Sequence, residues 1–213
     1  MFVIFLFSLC FHEFAHAFVA HMRGDNTAQM MGRLTLNPMA HADPLGTVIL
    51  PLIGMTGMAA GLPIFGWARP VPVDERNLKR PRQDMFWIAS AGPLSNILLA
   101  TLGVFGYTGY LAYTGLTGAE IANVNNWSVF AISFVATNLA LAFFNLIPFH
   151  PLDGGKVIAR FLPESMNRKL EENEQTISIV LIMVLFLGGF AILRYPIFWT
   201  FQGLVDVATS LVG

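Results

Sequence analysis

The sequence predicts an all-α polytopic membrane protein: a bundle of about five to six transmembrane helices with a re-entrant extended segment near residues 61–73. Composition is the first reason, because 55% of the 213 residues are hydrophobic and only 12% are charged, about half the charged fraction of a soluble domain. The second reason is a set of long uncharged stretches, and the third is the clustering of basic residues between them. Residues 1–213 are expected to form a single domain.

Composition also excludes several classes of protein. Twelve basic and thirteen acidic residues give a net charge of −1, so nothing in the charge favours nucleic acid as a partner. The abundant apolar surface excludes a disordered chain, and a mean hydropathy of +0.61 argues against a soluble cytosolic domain. The partner that this composition predicts is a lipid bilayer.

The predicted spans follow from the uncharged stretches, since a transmembrane helix needs about 20 mostly apolar residues. Four stretches lack Asp, Glu, Lys and Arg altogether: 44–68, 85–119, 121–152 and 175–193. The first segment, 1–22, is apolar apart from a short titratable cluster. Segment 195–213 carries one acidic residue, Asp206, and could either cross the bilayer or lie along it.

The basic residues predict the re-entrant segment. Arg23 and Arg33 precede the stretch 44–68, and four more basic residues follow it between positions 76 and 82. Cytoplasmic loops are enriched in Lys and Arg, so the stretch should enter and leave on the cytoplasmic side. Residues 61–73, which begin inside this stretch and continue past its end, are rich in Gly and Pro and are predicted to be extended. Non-helical backbone at this depth requires a protein-lined or wet cavity; such a segment could pair with an extended substrate or simply plug the bundle.

The first segment contains the pattern His12-Glu13-x-x-His16. Residues four apart share one face of a helix, so both imidazoles could bind one metal ion while Glu13 serves as general base. A chance pair of histidines beside a buried acid is the plain alternative. Ionisable groups within a membrane are costly and usually functional, which favours the metal site.

A hydrolytic zinc site needs a third protein ligand and one open position. Asp153 is the candidate, because it ends the uncharged run 121–152 and follows two helix-breaking prolines, Pro148 and Pro151. The alternative role is an N-cap for a short helix over 155–162. Residue spacing leaves both roles open.

At these positions the chain resembles the site-2 protease family of intramembrane zinc metalloproteases, most closely its small bacterial members without a PDZ domain. The motifs that carry the resemblance run almost end to end: the HExxH pattern, Gly32–Pro38, His41–Gly46, Gly66–Pro72, Ala91–Asn96 and Asn145–Gly154. The resemblance implies that His12, His16 and Asp153 hold one zinc ion and that Glu13 is the catalytic acid/base. It also implies that Asn145 and Pro151 line the substrate cleft.

The same resemblance implies a multi-pass protein of the bacterial cell membrane that cleaves transmembrane or membrane-anchored proteins with its active site toward the cytoplasmic side. His150, just before Pro151, stays open as an alternative ligand, with a bystander role favoured. Asn96 and Asn138 are expected to hydrogen-bond between helices. The sequence does not predict an oligomeric state.

Two other functions compete with a protease. Intramembrane His and Asp residues also mark ion pathways, so a zinc-binding transporter is one alternative, and a non-catalytic membrane scaffold is the other. A transporter has no need of Glu13 between the histidines, and a scaffold has no chemical need of the four residues together. The substitution Glu13→Gln therefore separates a protease, which should lose turnover while keeping its metal, from a transporter, which should keep its function.

Overall fold

A computed structural model describes residues 1–49, 66–115, 126–184, 188 and 190–212. Helices in chain order are α1 (Phe2–Arg23), α2 (Thr27–Met30), α3 (Pro38–His41), α4 (Pro81–Thr114), α5 (Asn126–Asn145), α6 (Asp153–Ala159), α7 (Glu164–Glu172), α8 (Glu174–Val184) and α9 (Phe190–Val212). A π-helical turn at Pro44–Ile49 and a 3-10 turn at Glu75–Asn77 complete the elements. No strand occurs among the described residues, which confirms the all-α class.

Three helices in the described part of the chain are long and apolar enough to cross a membrane: α1, α4 and α5. The predicted total of five to six spans stays a prediction, because the stretches 50–65 and 185–187 lie outside the described residues. Segment 195–213, whose path the sequence left open, belongs to the 23-residue helix α9 up to Val212. That helix packs against α4 and α5, with Ala208 fully buried.

Helix α1 carries the titratable cluster and ends where the sequence provides a glycine. Gly24 adopts a left-handed conformation with φ of 106°, and the main-chain nitrogens after the helix bond to Ala20 and His21 carbonyls. A left-handed residue at this position closes a helix and is easiest for glycine. The chain therefore turns sharply just beyond Arg23.

Helix α4 is the centre of the molecule. It packs against α1, α5, α6 and α9, and at 34 residues it is about 50 Å long, longer than the hydrocarbon core of a bilayer. A buried apolar cluster joins it to α5 and α9 and consists of Ala100, Val104, Val135, Leu139 and Ala208. Nearer its N-terminus the same helix meets α1, where Gly92 and Asn96 lie beside the polar groups described below.

The extended segment predicted near 61–73 is described from residue 66 onward; residues 61–65 lie outside the described residues. Residues 66–74 form neither helix nor strand, as predicted for this part. The N–H groups of every second residue lie on one edge and are donated to other segments: those of Trp67 and Arg69 donate to the carbonyls of Gly46 and His41, and that of Val71 donates to Glu13. One edge of the segment is thereby tied to the protein interior.

The chain doubles back on itself between α5 and α6. A Cβ atom at Gly154 would collide with the main-chain carbonyls of Leu146 and Ile147, and one at Gly155 would lie 2.7 Å from the nitrogen of His150. Only glycine allows so close an approach of two backbone segments. Helix α6 begins at Asp153 rather than at the predicted residue 155. Asp153 therefore lies in the first turn of the helix, directly after the loop that leaves α5.

Candidate active site

Three side chains from two distant parts of the chain converge beside α4. Nε2 of His12 lies 3.0 Å from Nε2 of His16, and Oδ2 of Asp153 lies 3.1 Å from the first and 3.2 Å from the second. His12 and Asp153 are 141 positions apart in sequence. All three groups are largely withdrawn from the surface, with side-chain exposures of 4%, 10% and 15% respectively.

The other ring nitrogens decide where the imidazole protons lie. Nδ1 of His16 lies 2.7 Å from the carbonyl oxygen of Ile88, and Nδ1 of His12 lies 2.6 Å from Oδ1 of Asn96. Both oxygens can only accept a hydrogen bond, so each Nδ1 carries the proton and donates it. In the neutral rings each Nε2 then presents a lone pair toward the other and toward Asp153.

Three lone-pair atoms at these separations repel one another unless a proton or a metal cation lies among them. Tetrahedral zinc ligands at ~2.0–2.2 Å from the ion are separated by roughly 3.3–3.6 Å, slightly more than the 3.0–3.2 Å spacings found here. Two imidazoles and one carboxylate form the ligand set of many catalytic zinc sites. Among the described residues, His12, His16 and Asp153 form the group that could hold such an ion.

Gly92 on α4 makes space for this group. A Cβ atom built at that position falls onto the Nε2 atoms of both His12 and His16. Any larger residue would therefore occupy the space where the three donor atoms meet. The sequence motif Ala91–Asn96 contained this glycine, but residue spacing alone could not show that it faces the histidines.

Glu13 lies next to the ligand group on α1 but does not belong to it. Its exposure is 9%, and its Oε2 accepts a 3.1 Å hydrogen bond from the main-chain N–H of Val71. A hydrogen bond to an ionised carboxylate is stronger than one between neutral groups. The extended segment thus holds one oxygen of Glu13 in place.

A cavity of about 410 Å³ opens beside these residues. Its walls include His12, Glu13, His16 and Asp153, part of the extended segment between Gly66 and Val73, and apolar side chains of α1, α4 and α5. Asn145 and Pro151 also line it, and the side-chain amide of Asn145 donates to Leu141 within α5. The cavity that the sequence predicted is therefore present next to the titratable cluster.

The structure decides between alternatives that the sequence left open. Asp153 is the first residue of α6 and not its N-cap, which is Leu152, so the capping role is wrong. His150 is buried, but it does not join the ligand group, and its Nε2 has no hydrogen-bond partner among the described residues. Asn96 and Asn138 hydrogen-bond to each other between α4 and α5, as predicted.

Comparison with known proteins identifies the family of this chain. The model of "Peptidase family M50" matches residues 1–117 and 111–189 of the chain. The chain belongs to peptidase family M50. The predicted resemblance to the site-2 proteases, and with it the predicted enzyme class of a membrane-embedded metalloprotease, is thereby confirmed.

Two M50 relatives show how much of the chain is shared. "Putative zinc metalloprotease YwhC" of Bacillus subtilis is 37% identical over 179 residues, which cover 84% of this chain and 76% of that protein. "Putative zinc metalloprotease Rip2" of Mycobacterium tuberculosis is 32% identical over 184 residues, covering 86% of this chain and 64% of the relative. The chain thus spans less than two thirds of the mycobacterial protein. No solved structure gives a significant match.

Proposed function

We propose that this M50 peptidase is a zinc endopeptidase that hydrolyses peptide bonds of transmembrane or membrane-anchored proteins. In this proposal His12, His16 and Asp153 hold the zinc ion, and Glu13 is the general acid/base. The observation that carries it is the convergence of three acceptor atoms within 3.2 Å of one another beside a buried glutamate. Both relatives described above carry the name "putative zinc metalloprotease".

The chemistry divides between the ion and the protein. Held by His12, His16 and Asp153, a zinc ion would polarise a substrate carbonyl group and would make a water molecule acidic enough to act as a nucleophile near neutral pH. Glu13 takes the proton of that water on its carboxylate and later delivers it to the departing amine nitrogen. Because Val71 holds Oε2, the second oxygen, Oε1, is the atom assigned to proton transfer.

The cavity suggests how substrate reaches the site. Its walls are mainly apolar, as suits a transmembrane segment, and the extended segment lies along one side. Asn145 and Pro151, which also line the cavity, are proposed to contact the substrate backbone near the scissile bond. A peptide must be extended to expose its carbonyls, and an extended wall favours that conformation over a helix.

The basic residues support an active site that opens toward the cytoplasm. Arg23 at the end of α1 lies 3.4 Å from Asp84 at the start of α4, and Arg82 donates to the Ala159 carbonyl at the end of α6. The basic residues that surround these three helix ends therefore share one side of the bundle, which the positive-inside rule assigns to the cytoplasm. His12 and His16 lie eleven and seven residues before Arg23, so the metal would sit about 10–17 Å below that side.

The test uses purified protein in detergent with a panel of single-span peptides, and measures bound zinc and cleavage separately. Glu13→Gln should keep its zinc and lose cleavage by at least about 100-fold, because general acid–base catalysis contributes that much. His16→Ala should lose both. Glu172→Gln, which changes an exposed acid paired with Arg168 on α7, is the control and should change neither.

Cleavage that persists after zinc chelation, or full activity of Glu13→Gln, would overturn the proposal. A transporter would retain its function in Glu13→Gln, so that single variant also separates the two classes.

A further inference from the structure

A buried chain of side-chain amides connects His12 to a helix that contributes no ligand. Oδ1 of Asn96 on α4 lies 2.6 Å from Nδ1 of His12, and Nδ2 of Asn96 donates to Oδ1 of Asn138 on α5 at 2.9 Å. Nδ2 of Asn138 in turn donates to the carbonyl of Phe134 at 2.9 Å. Both asparagines have no solvent exposure, so water cannot replace any of these bonds.

Two main-chain carbonyl groups determine which group donates and which accepts in every hydrogen bond of this series of side-chain amides. The carbonyl of Phe134 only accepts, so Asn138 must turn its NH₂ group toward it and its oxygen toward Asn96. The carbonyl of Ser8, 3.2 Å from Nδ2 of Asn96, also only accepts. Asn96 therefore places its NH₂ group toward Ser8 and Asn138, and its oxygen toward His12.

The consequence for His12 is a single tautomer. An oxygen at Nδ1 requires the proton to lie there, which leaves the lone pair on Nε2, the atom that faces His16 and Asp153. His16 obtains the same tautomer directly from the main-chain carbonyl of Ile88. The two histidines thus differ, because only His12 depends on side chains that a substitution can remove.

We propose that Asn138 is a positioning residue for the metal site: it orients Asn96, and through Asn96 it sets the tautomer and ring orientation of His12. This inference rests on the proposed role of His12 as a zinc ligand. Hydrogen-bond partners of metal-bound histidines commonly alter metal affinity by 10–100-fold. The side-chain hydrogen bonds of Asn138 go to Asn96 and to the carbonyl of Phe134, and Asn138 does not line the cavity, so its effect on His12 would pass through Asn96.

Ordinary packing between α4 and α5 is the competing explanation, and the same two helices offer a matched control. The hydroxyl of Tyr107 on α4 donates to Oγ of Ser128 on α5 at 2.7 Å. Ser128 is buried as well, and it lies ten residues before Asn138 on the same helix, about 15 Å away. Removing its hydroxyl weakens the helix pair without touching the amide chain.

The experiment measures zinc affinity of the purified full chain by competition with a chelator, and thermal unfolding in parallel. Asn138→Ala should weaken zinc binding about tenfold and Asn96→Ala by 10–100-fold. The double variant should match Asn96→Ala alone, because Asn138 then has nothing to orient. Ser128→Ala should lower the unfolding temperature while leaving zinc affinity unchanged.

Asn138→Asp is the second variant and guards against a folding failure of the alanine variant. Burial favours the neutral form of a carboxyl group, in which its hydroxyl can donate to Phe134 and its other oxygen can accept from Asn96. Near-normal zinc affinity is expected.

Three results would overturn the inference: full affinity in Asn138→Ala, an undiminished effect of Asn138→Ala in the Asn96→Ala background, or equal zinc loss in Ser128→Ala. A wild-type protein that binds no zinc would overturn the proposed function and this inference together. If the wild type binds zinc, Glu13→Gln is inactive and Asn138→Ala has the zinc affinity of the wild type, this inference alone is overturned.

Discussion

The main-chain N–H of Val71 donates a 3.1 Å hydrogen bond to Oε2 of Glu13, across 58 positions of sequence. The bond joins the non-helical segment 66–74 to helix α1 at the one residue proposed for proton transfer. The segment on the donor side has prolines at 70 and 72, which have no N–H to offer. Val71 is therefore the donor between two residues that cannot replace it.

Removing that N–H should impair catalysis and leave the metal in place. Val71→Pro deletes the donor in a segment that is already extended and proline-rich, and losing a hydrogen bond to a charged group costs about 1.5–3 kcal/mol. We expect cleavage to fall on the order of tenfold or more at normal zinc content. Val71→Ala keeps the N–H and should retain most activity; equal losses in both variants would contradict the assigned role of the bond.

Gly92→Ala should abolish zinc binding. The added methyl group would occupy the position of the Nε2 atoms of His12 and His16, and a closely packed helix pair cannot yield that space cheaply. Metal content after purification is the measurement. Gly106→Ala on the same helix is the control, because a Cβ there meets nothing within 4 Å, and it should bind zinc normally with equal or slightly higher stability.

Asp25 should make stability depend on pH. It has no solvent exposure; burial alone would raise its pKa, but hydrogen bonds from Thr27, Asn77 and the main-chain N–H of Asp74 outweigh burial and lower the pKa below its usual value. A carboxyl with a lower pKa in the folded state stabilises the protein above its unfolded pKa of ~3.9. That contribution disappears as the pH falls through the folded value.

The measurement is the difference in free energy of unfolding between the wild type and Asp25→Asn across pH. Both proteins carry the same zinc site, so acid release of metal cancels in the difference. We expect the wild type to be more stable by about 1–3 kcal/mol near neutral pH, with the gap closing in acid. A gap that is constant with pH would show that the carboxylate charge contributes nothing.

Arg82 should support Asp153, the proposed third zinc ligand, from the far end of α6. Its guanidinium donates to the carbonyl of Ala159 at 2.9 and 3.1 Å and also to that of Leu162. Because the group is exposed, the loss in Arg82→Gln should be modest, about two- to fivefold in zinc affinity. Arg76→Gln is the matched control: Arg76 pairs with Asp74, two residues away, and contacts no ligand-bearing helix.

Local periodicity explains what could be predicted. Composition alone indicated a membrane-embedded helical protein, because a chain with 12% charged residues cannot cover a water-facing surface. The four-residue spacing of His12 and His16 indicated a shared helix face, since a helix repeats every 3.6 residues. Asp153 emerged as a candidate from the break at Pro148 and Pro151, although its capping role could not be excluded from spacing.

The tertiary structure decided everything that joins separate segments. Whether Asp153 faced His12, 141 positions away, depended on the packing of α6 against α4 and on the close backbone approach at Gly154 and Gly155. The space at Gly92, the carbonyl of Ile88 and the N–H of Val71 are backbone features that carry no side-chain signature in the sequence. Periodicity reports neighbours within a turn or two of the same helix, whereas these contacts arise between segments whose relative placement only the folded chain determines.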